Sequence, residues 1–367
     1  MGKKRFFDDR LKYLSFIQNT SEKRAISSEL TPFIASMPQN RTFLRILDAG
    51  TGDGTVKSNV IKTFHKYHPY TSLLITGKEI SYEDLKNTLE KMPDRFVEHP
   101  NLLVTMTNVK FAELGLVENS TKIKNKKVKE FNLILKSDNS FDFHSQITGN
   151  TLGNFIKKNW GIEIDSKSRT SYSNPCIIRV YREDNEKHLK QFIKNDYKNN
   201  NYDLIIASQA YRAASSVGVK VNNVIGPLMR LLNKSGKLLV THSSGGESIQ
   251  KILKMAFKDK EAFPNTAKDI IDYLKDNPVG ENNKYSYAKP LNYFFNFKKA
   301  PDQTVTELFG HNTDAKWANI VYVGQIPDKD IQTLEKNTRL HNKVRKAIDN
   351  AGEIQFKNEI FSIKKTR

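Results

Sequence analysis

The chain has 367 residues, 38% of them hydrophobic and 10% aromatic, which is enough for a folded core and excludes a disordered chain. No run nears the roughly 18 uninterrupted apolar residues of a membrane span. The first nine residues lack the apolar stretch of a signal peptide, and the single cysteine, Cys176, excludes an internal disulfide or cysteine zinc cluster, so a cytoplasmic monomer is expected. The net charge of +19 makes a nucleic-acid partner possible, but 45 lysines against 14 arginines, scattered among Asn and Ile, fit a compositional bias better than a dedicated polyanion site.

Residues 1–40 predict two helices. One has a stripe from Phe6 through Leu11, Leu14 and Ile17, the other runs from Ile26 to Ile34, and the cap-like Asn19-Thr-Ser-Glu22 separates them. Alternation follows: a strand from Phe43 into Gly50, a helix over 54–67, a strand at Ser72–Thr76, a helix at Tyr82–Met92 and a strand at Asn101–Thr107. Strands spaced by helices imply right-handed crossovers and a parallel sheet. Residues 115–201 break the rhythm and predict an inserted subdomain with a strand at Pro175–Tyr181. Alternation resumes with a strand at Tyr202–Ser208, then a helix at Asn222–Leu232 stopped by Asn233-Lys-Ser-Gly236. A strand at Lys237–Thr241 follows, then two helices split at Phe263-Pro264, an aromatic strand at Tyr285–Phe297, helix over 327–350 and a last strand at Glu353–Ile363. Four segments result: 1–40 as a helical cap, 41–114 and 202–367 as halves of one domain, and 115–201 as the insertion.

The sharpest signal is Asp48-Ala-Gly50-Thr-Gly52-Asp-Gly54-Thr55 at the end of the first strand. Three alternate glycines allow a tight turn and close backbone approach to a ligand. A dinucleotide fingerprint needs its third glycine at position 55, and a Walker loop needs a following Gly-Lys-Ser/Thr; neither is present. The segment resembles motif I of class I S-adenosylmethionine-dependent methyltransferases, in which the loop packs on the methionine and ribose of the cofactor. Asp48 and Asp53 suit a cationic sulfonium. Glu79, past the second strand, can accept from both hydroxyls of a vicinal diol. Thr107 and Asn108 close the third strand, where an adenine amino group is often read, and Ser208 ends the fourth. The Asp/Asn-Pro-Pro-Tyr/Phe of many DNA amino-methyltransferases is missing there.

Over residues 10–110 and 202–363 the chain resembles the histamine N-methyltransferase-like branch. Tyr13 to Glu22 is similar to its N-terminal helix and substrate-binding glutamate, Asp203 to Gln209 to the strand ending in a substrate-contacting glutamine, and Phe356 to Ile363 to the terminal strand with a substrate-contacting asparagine, here Asn358. The family's two tyrosines fall here on Arg212 and Ala213, with Tyr211 one place earlier, so Arg212 could pair an acidic group on the acceptor. The resemblance implies a Rossmann-like seven-stranded methyltransferase sheet with its last strand antiparallel. It implies S-adenosylmethionine as cofactor and N-methylation of a small amine or imidazole, with Glu22 and Gln209 as catalytic residues. No metal ligand cluster is evident among the dispersed histidines. The alternatives are an RNA or protein methyltransferase gripping its target through the lysine-rich insertion, or a non-catalytic protein that binds cofactor or nucleic acid. Cys176 is expected to be inert, and His242, after the fifth strand, is more often structural at such a place than a general base.

Overall fold

The computed structural model describes residues 10–117, 120–164, 170–195, 201–280, 284–297 and 312–366; Phe6, at the head of the expected first stripe, lies outside them. Its centre is a ten-stranded sheet. Five parallel strands form the middle: β1 (Phe43–Asp48), β2 (Ser72–Lys78), β3 (Leu102–Thr107), β10 (Tyr202–Ser208) and β11 (Leu232–Gly245). They lie in the order β11-β10-β1-β2-β3. Each is buried nearly throughout, as expected of strands covered on both faces. β14 (Gln355–Lys365) runs antiparallel against β11, as expected of the last strand. Beyond it β12 (Tyr285–Tyr287) and β13 (Leu291–Asn296) pair with successive halves of β14, forming one interrupted edge strand.

The other edge holds what the sequence does not specify. Between β3 and the continuation of the parallel set, residues 115–201 supply two short hairpins, β4 (Lys122–Ile123) with β5 (Lys126–Lys127) and β7 (Ile162–Ile164) with β8 (Thr170–Tyr172). They also supply two strands of the main sheet. β9 (Cys176–Arg182) pairs antiparallel with β3, and β6 (Lys129–Leu135) pairs parallel with β9. All seven residues of β9 are buried, so this strand is part of the core. The β4–β5 turn has Lys124 and Asn125 at φ of 49° and 66°, the left-handed pair that a two-residue hairpin requires.

Helices cover both faces. α1 (Arg10–Asn19) and α2 (Glu22–Ala35) meet where expected. Ser21 does not cap α2; its hydroxyl accepts from Asn296 N at 3.0 Å, and its N–H reaches the Asn296 carbonyl at 3.0 Å, tying the junction to β13. α2 buries Ile26, Leu30 and Ile34 against Val56, Val60 and Phe64 of α3 (Thr55–Tyr67). A truncation such as Leu30→Ala there costs about 2–5 kcal/mol. The helix expected at Asn222–Leu232 ends earlier, at Arg230, and Asn233–Gly236 is not its stop signal. That segment lies within β11, where the register to β10 shifts between Tyr202/Leu204, so the polar run is a bulge in a strand.

Candidate functional site

The carboxyl ends of β1, β2 and β10 open into a cavity of about 500 Å³, at the place where ligands of parallel α/β sheets collect. Its loop side comprises Ala49, Gly50 and Gly52, with Lys78 and Glu79 from the end of β2. Ser208, Gln209, Tyr211 and Arg212 follow from β10, Ser243 from β11, and Tyr13, Phe16, Glu22 and Lys23 from the N-terminal helices. Glu22 and Gln209, which lie far apart in the chain, therefore line the same cavity.

Glu79 organises the loop. One carboxylate oxygen accepts from Gly52 N at 2.9 Å, and the other from Ile80 N and Ser81 N, both at 2.8 Å. A carboxylate offers about four lone-pair sites, so one remains for a ligand hydroxyl. Gly52 has φ +55°, and a Cβ there would collide with the Tyr13 hydroxyl. That hydroxyl accepts from Asp53 N at 3.2 Å, so α1 roofs the loop. Gly54, at φ +79°, lets the loop pass against Thr88 of α4 (Tyr82–Glu90) and does not line the cavity.

Lys23, unremarked in the sequence, puts its ammonium 3.5 Å from Glu22. Burial opposes its charge, and Tyr13 with the Glu22 and Asp53 carboxylates more than offsets that, raising its pKa. An anion and a cation thus sit side by side beside the loop. Gln209 has φ +52°, an uncommon conformation for its residue type that tends to mark functional positions. It lines this cavity together with Ser208, Tyr211, Ser243 and Gln325, and among the described residues its Nε2, the hydroxyls of Ser208, Tyr211 and Ser243, and Oε1 of Gln325 are buried without a hydrogen-bond partner. Five such atoms around one cavity are an unusual concentration, since buried polar groups are normally paired.

Other expected residues lie elsewhere. Asn358 is buried behind the wall, paired in register with Ser243 and donating to the Tyr293 hydroxyl at 3.0 Å; it does not line the cavity. Nor do Thr107 and Asn108. Thr107 donates to the Cys176 carbonyl at 2.8 Å, while Asn108 accepts from Cys176 N at 2.8 Å and donates to the Asn174 carbonyl at 2.9 Å. Their polarity fastens β9 to β3. Asp48 is buried beneath the loop. Cys176 is buried with its thiol pushed up to about 12 by burial, so it is inert. His242 is pushed down to about 4 by burial, and its Nε2 meets the Asn265 carbonyl at 2.7 Å, so it is a neutral structural residue. The sequence reading also missed Tyr322, Val323 and Gln325. The helix Asn312–Val323 brings them to the cavity, and Tyr322 stacks on Phe16 at 4.7 Å. Aromatic side chains thus reach the cavity from the helical roof as well as from Tyr211 after Gln209.

No family model and no curated protein matches the chain. Among solved structures it is similar to a putative type II methyltransferase from Anaeromyxobacter dehalogenans, at 10% identity over 92% of this chain and 95% of that one, with a TM-score of 0.36. It is similar also to a precorrin-6y C5,15-methyltransferase from Geobacter metallireducens GS-15, at 10% identity over 72% and 76%, TM-score 0.30. A SAM-dependent methyltransferase from Archaeoglobus fulgidus is similar at 12% identity over 94% of each chain, TM-score 0.30. Likenesses this distant assign no role to any residue.

Proposed function

We propose that the chain is an S-adenosylmethionine-dependent methyltransferase acting on a small amine or imidazole compound. The observation that carries this reading is the single cavity joining Gly50, Gly52 and Glu79 with Glu22 and Gln209. Its volume falls in the small-molecule range of roughly 300–1,000 Å³. The donor group, when bound, supplies a methyl activated on a sulfonium. The loop glycines allow close backbone approach to it, Glu79 keeps a lone-pair site for a ribose hydroxyl, and the Glu22–Lys23 couple complements an amino-acid end. On the acceptor side, the polar residues Gln209, Tyr211 and Ser243 line the cavity and orient a nucleophile. Such positioning is worth on the order of 7–11 kcal/mol at best. An amine must present its lone pair, and Glu22 with Gln209 holds it in a reactive orientation. The test is calorimetry with S-adenosylmethionine, followed by incubation of a metabolite pool with the methyl-labelled compound. Label in a small amine or imidazole supports the reading, and absence of binding ends it.

A second reading, a methyltransferase of RNA or protein, draws on the β4–β5 hairpin. Lys122, Lys124, Lys126 and Lys127 stand on it, and Lys124 is pinned at 2.7 Å to Glu113, close in sequence to the cavity residue Phe111. Label appearing in macromolecules would favour it.

A further inference from the structure

Beneath the glycine loop lies a pair of charges that the site as described does not use. β1, β2 and β3 lie abreast, with Asp48 beside Gly77 and Gly77 beside Met106. Lys57, in the first turn of α3, is fully buried, with its ammonium 3.5 Å from the Met106 sulfur. A Cβ on Gly77 would collide with that ammonium; the otherwise bulky β2 is bare where Lys57 needs room. Among the described residues no ion pair joins Lys57 to a carboxylate. Asp48 is 1% exposed, and among the described residues neither carboxylate oxygen has a hydrogen bond at ordinary distance, the Thr51 hydroxyl donating instead to the Asp48 backbone carbonyl at 3.4 Å. Burial raises the Asp48 pKa, opposed foremost by Lys57 and then by the Thr51 hydroxyl, with Lys23 of α2 also lowering it and Glu79 after β2 raising it. Burial pushes Lys57 down to about 8, and Asp48 alone opposes this.

Two buried charges that form no direct ion pair weaken a fold, and replacing both with apolar or neutral groups is often stabilising. Asp48 stands two residues before Gly50, so its charge is felt by whatever rests on the loop. We propose that Lys57 is a positioning residue that keeps Asp48 ionised beneath the glycine loop and so gives the loop side of the cavity the negative charge that selects a cationic ligand. This rests on the sulfonium cofactor proposed above. Lys57 itself touches no ligand.

The test compares wild type, Lys57→Met, Asp48→Asn and the double variant by calorimetry with S-adenosylmethionine between about pH 6 and about pH 8, bracketing neutrality. Lys57→Met should bind about ten- to a hundredfold more weakly at the acid end and recover toward wild type as pH rises and Asp48 ionises unaided. Asp48→Asn should be weak at every pH, and the double variant no weaker than Asp48→Asn, because one charge is at issue. Equal affinity of Lys57→Met and wild type across the range overturns the proposal, as does a loss that pH does not rescue. If wild type does not bind, the cofactor reading falls. The carboxyl carbon resonance of Asp48 in the ligand-free protein then decides the role of Lys57: it must titrate at higher pH in Lys57→Met than in wild type, and an unchanged titration overturns the proposal. Should Lys57→Met not fold, Lys57→Gln takes its place in both measurements.

Discussion

Gln209 combines a left-handed backbone with an unpartnered buried amide, two costs at one residue. Asn tolerates positive φ better than Gln, so Gln209→Asn is expected to melt at or slightly above the wild-type temperature in a thermal scan. Its shorter side chain should lose an acceptor contact worth about 1–3 kcal/mol, raising KM or lowering kcat while leaving cofactor affinity nearly intact. Glu79 separates two roles that the sequence shows as one. Glu79→Ala strips the acceptor from three backbone N–H groups and should cost about 1–3 kcal/mol of stability as well as cofactor affinity. Glu79→Gln keeps one acceptor oxygen and should lose less of each, which chemical denaturation and calorimetry would register side by side. The loop itself was legible because its tight turn and close packing demand glycine at that spacing, and Gly50, Gly52 and Glu79 line one cavity while Gly54 packs on Thr88. Thr107 and Asn108 were misleading because a polar strand end can serve a ligand or a neighbouring strand, and only the presence of β9 decides it. Lys23 and Tyr322 carried no such signal: a lysine in an early helical turn and a tyrosine in an apolar helix look like ordinary surface and core.

At the level of elements, the strands buried on both faces were readable as short apolar runs between helices, and β14 by its alternation. The edge beyond β3 was not, since β6 and β9 are separated by two helices and a hairpin and their pairing is non-local. That pairing has a consequence for the segment 115–201. Cys176, Ile178, Val180, Leu135, Phe143 and Leu152 belong to the same core cluster as β1, α2 and α3. Fully burying each large apolar side chain contributes about 1.5–3 kcal/mol, so their combined loss would match a typical net stability of about 5–15 kcal/mol. Replacing residues 115–201 by a short linker is therefore expected to abolish the cooperative melt followed by circular dichroism. A sharp transition near the wild-type temperature would mean that the β3 edge stands alone.

For the whole molecule, two properties follow from charge and burial. His99 is fully buried and pushed down to about 4 by burial and by His65, whose Nδ1 lies 3.2 Å from its own; His242 is pushed down to the same value. Both are neutral when folded, while the unfolded chain protonates them near the ordinary value of 6.5. The unfolded state binds more protons across that window, so stability is intact above about pH 6.5 and falls as pH drops toward 4, by on the order of 3 kcal/mol per histidine. Melting temperature against pH should show this decline, and imidazole proton resonances of both residues should remain at their neutral positions at about pH 5. The net charge of +19 predicts that any binding to a single-stranded RNA oligonucleotide, read by fluorescence anisotropy, is sequence-indifferent and falls steeply between about 50 and about 200 mM salt. Affinity that persists at the upper concentration would point to a built interface and to the macromolecular acceptor.

β14 lies between β11 and the β12–β13 edge, and pairs with all three. Its apolar residues Phe356, Ile360, Phe361 and Ile363 are buried in three different core clusters. On the ribosome, at about 5–20 residues per second, everything through β13 has emerged while the slot for this strand still gapes. During that interval β11 and β13 present bare ladders that another nascent copy could occupy. Closure of the sheet must wait for residues 355–365, so a chain arrested before that point leaves the β11 edge unpaired.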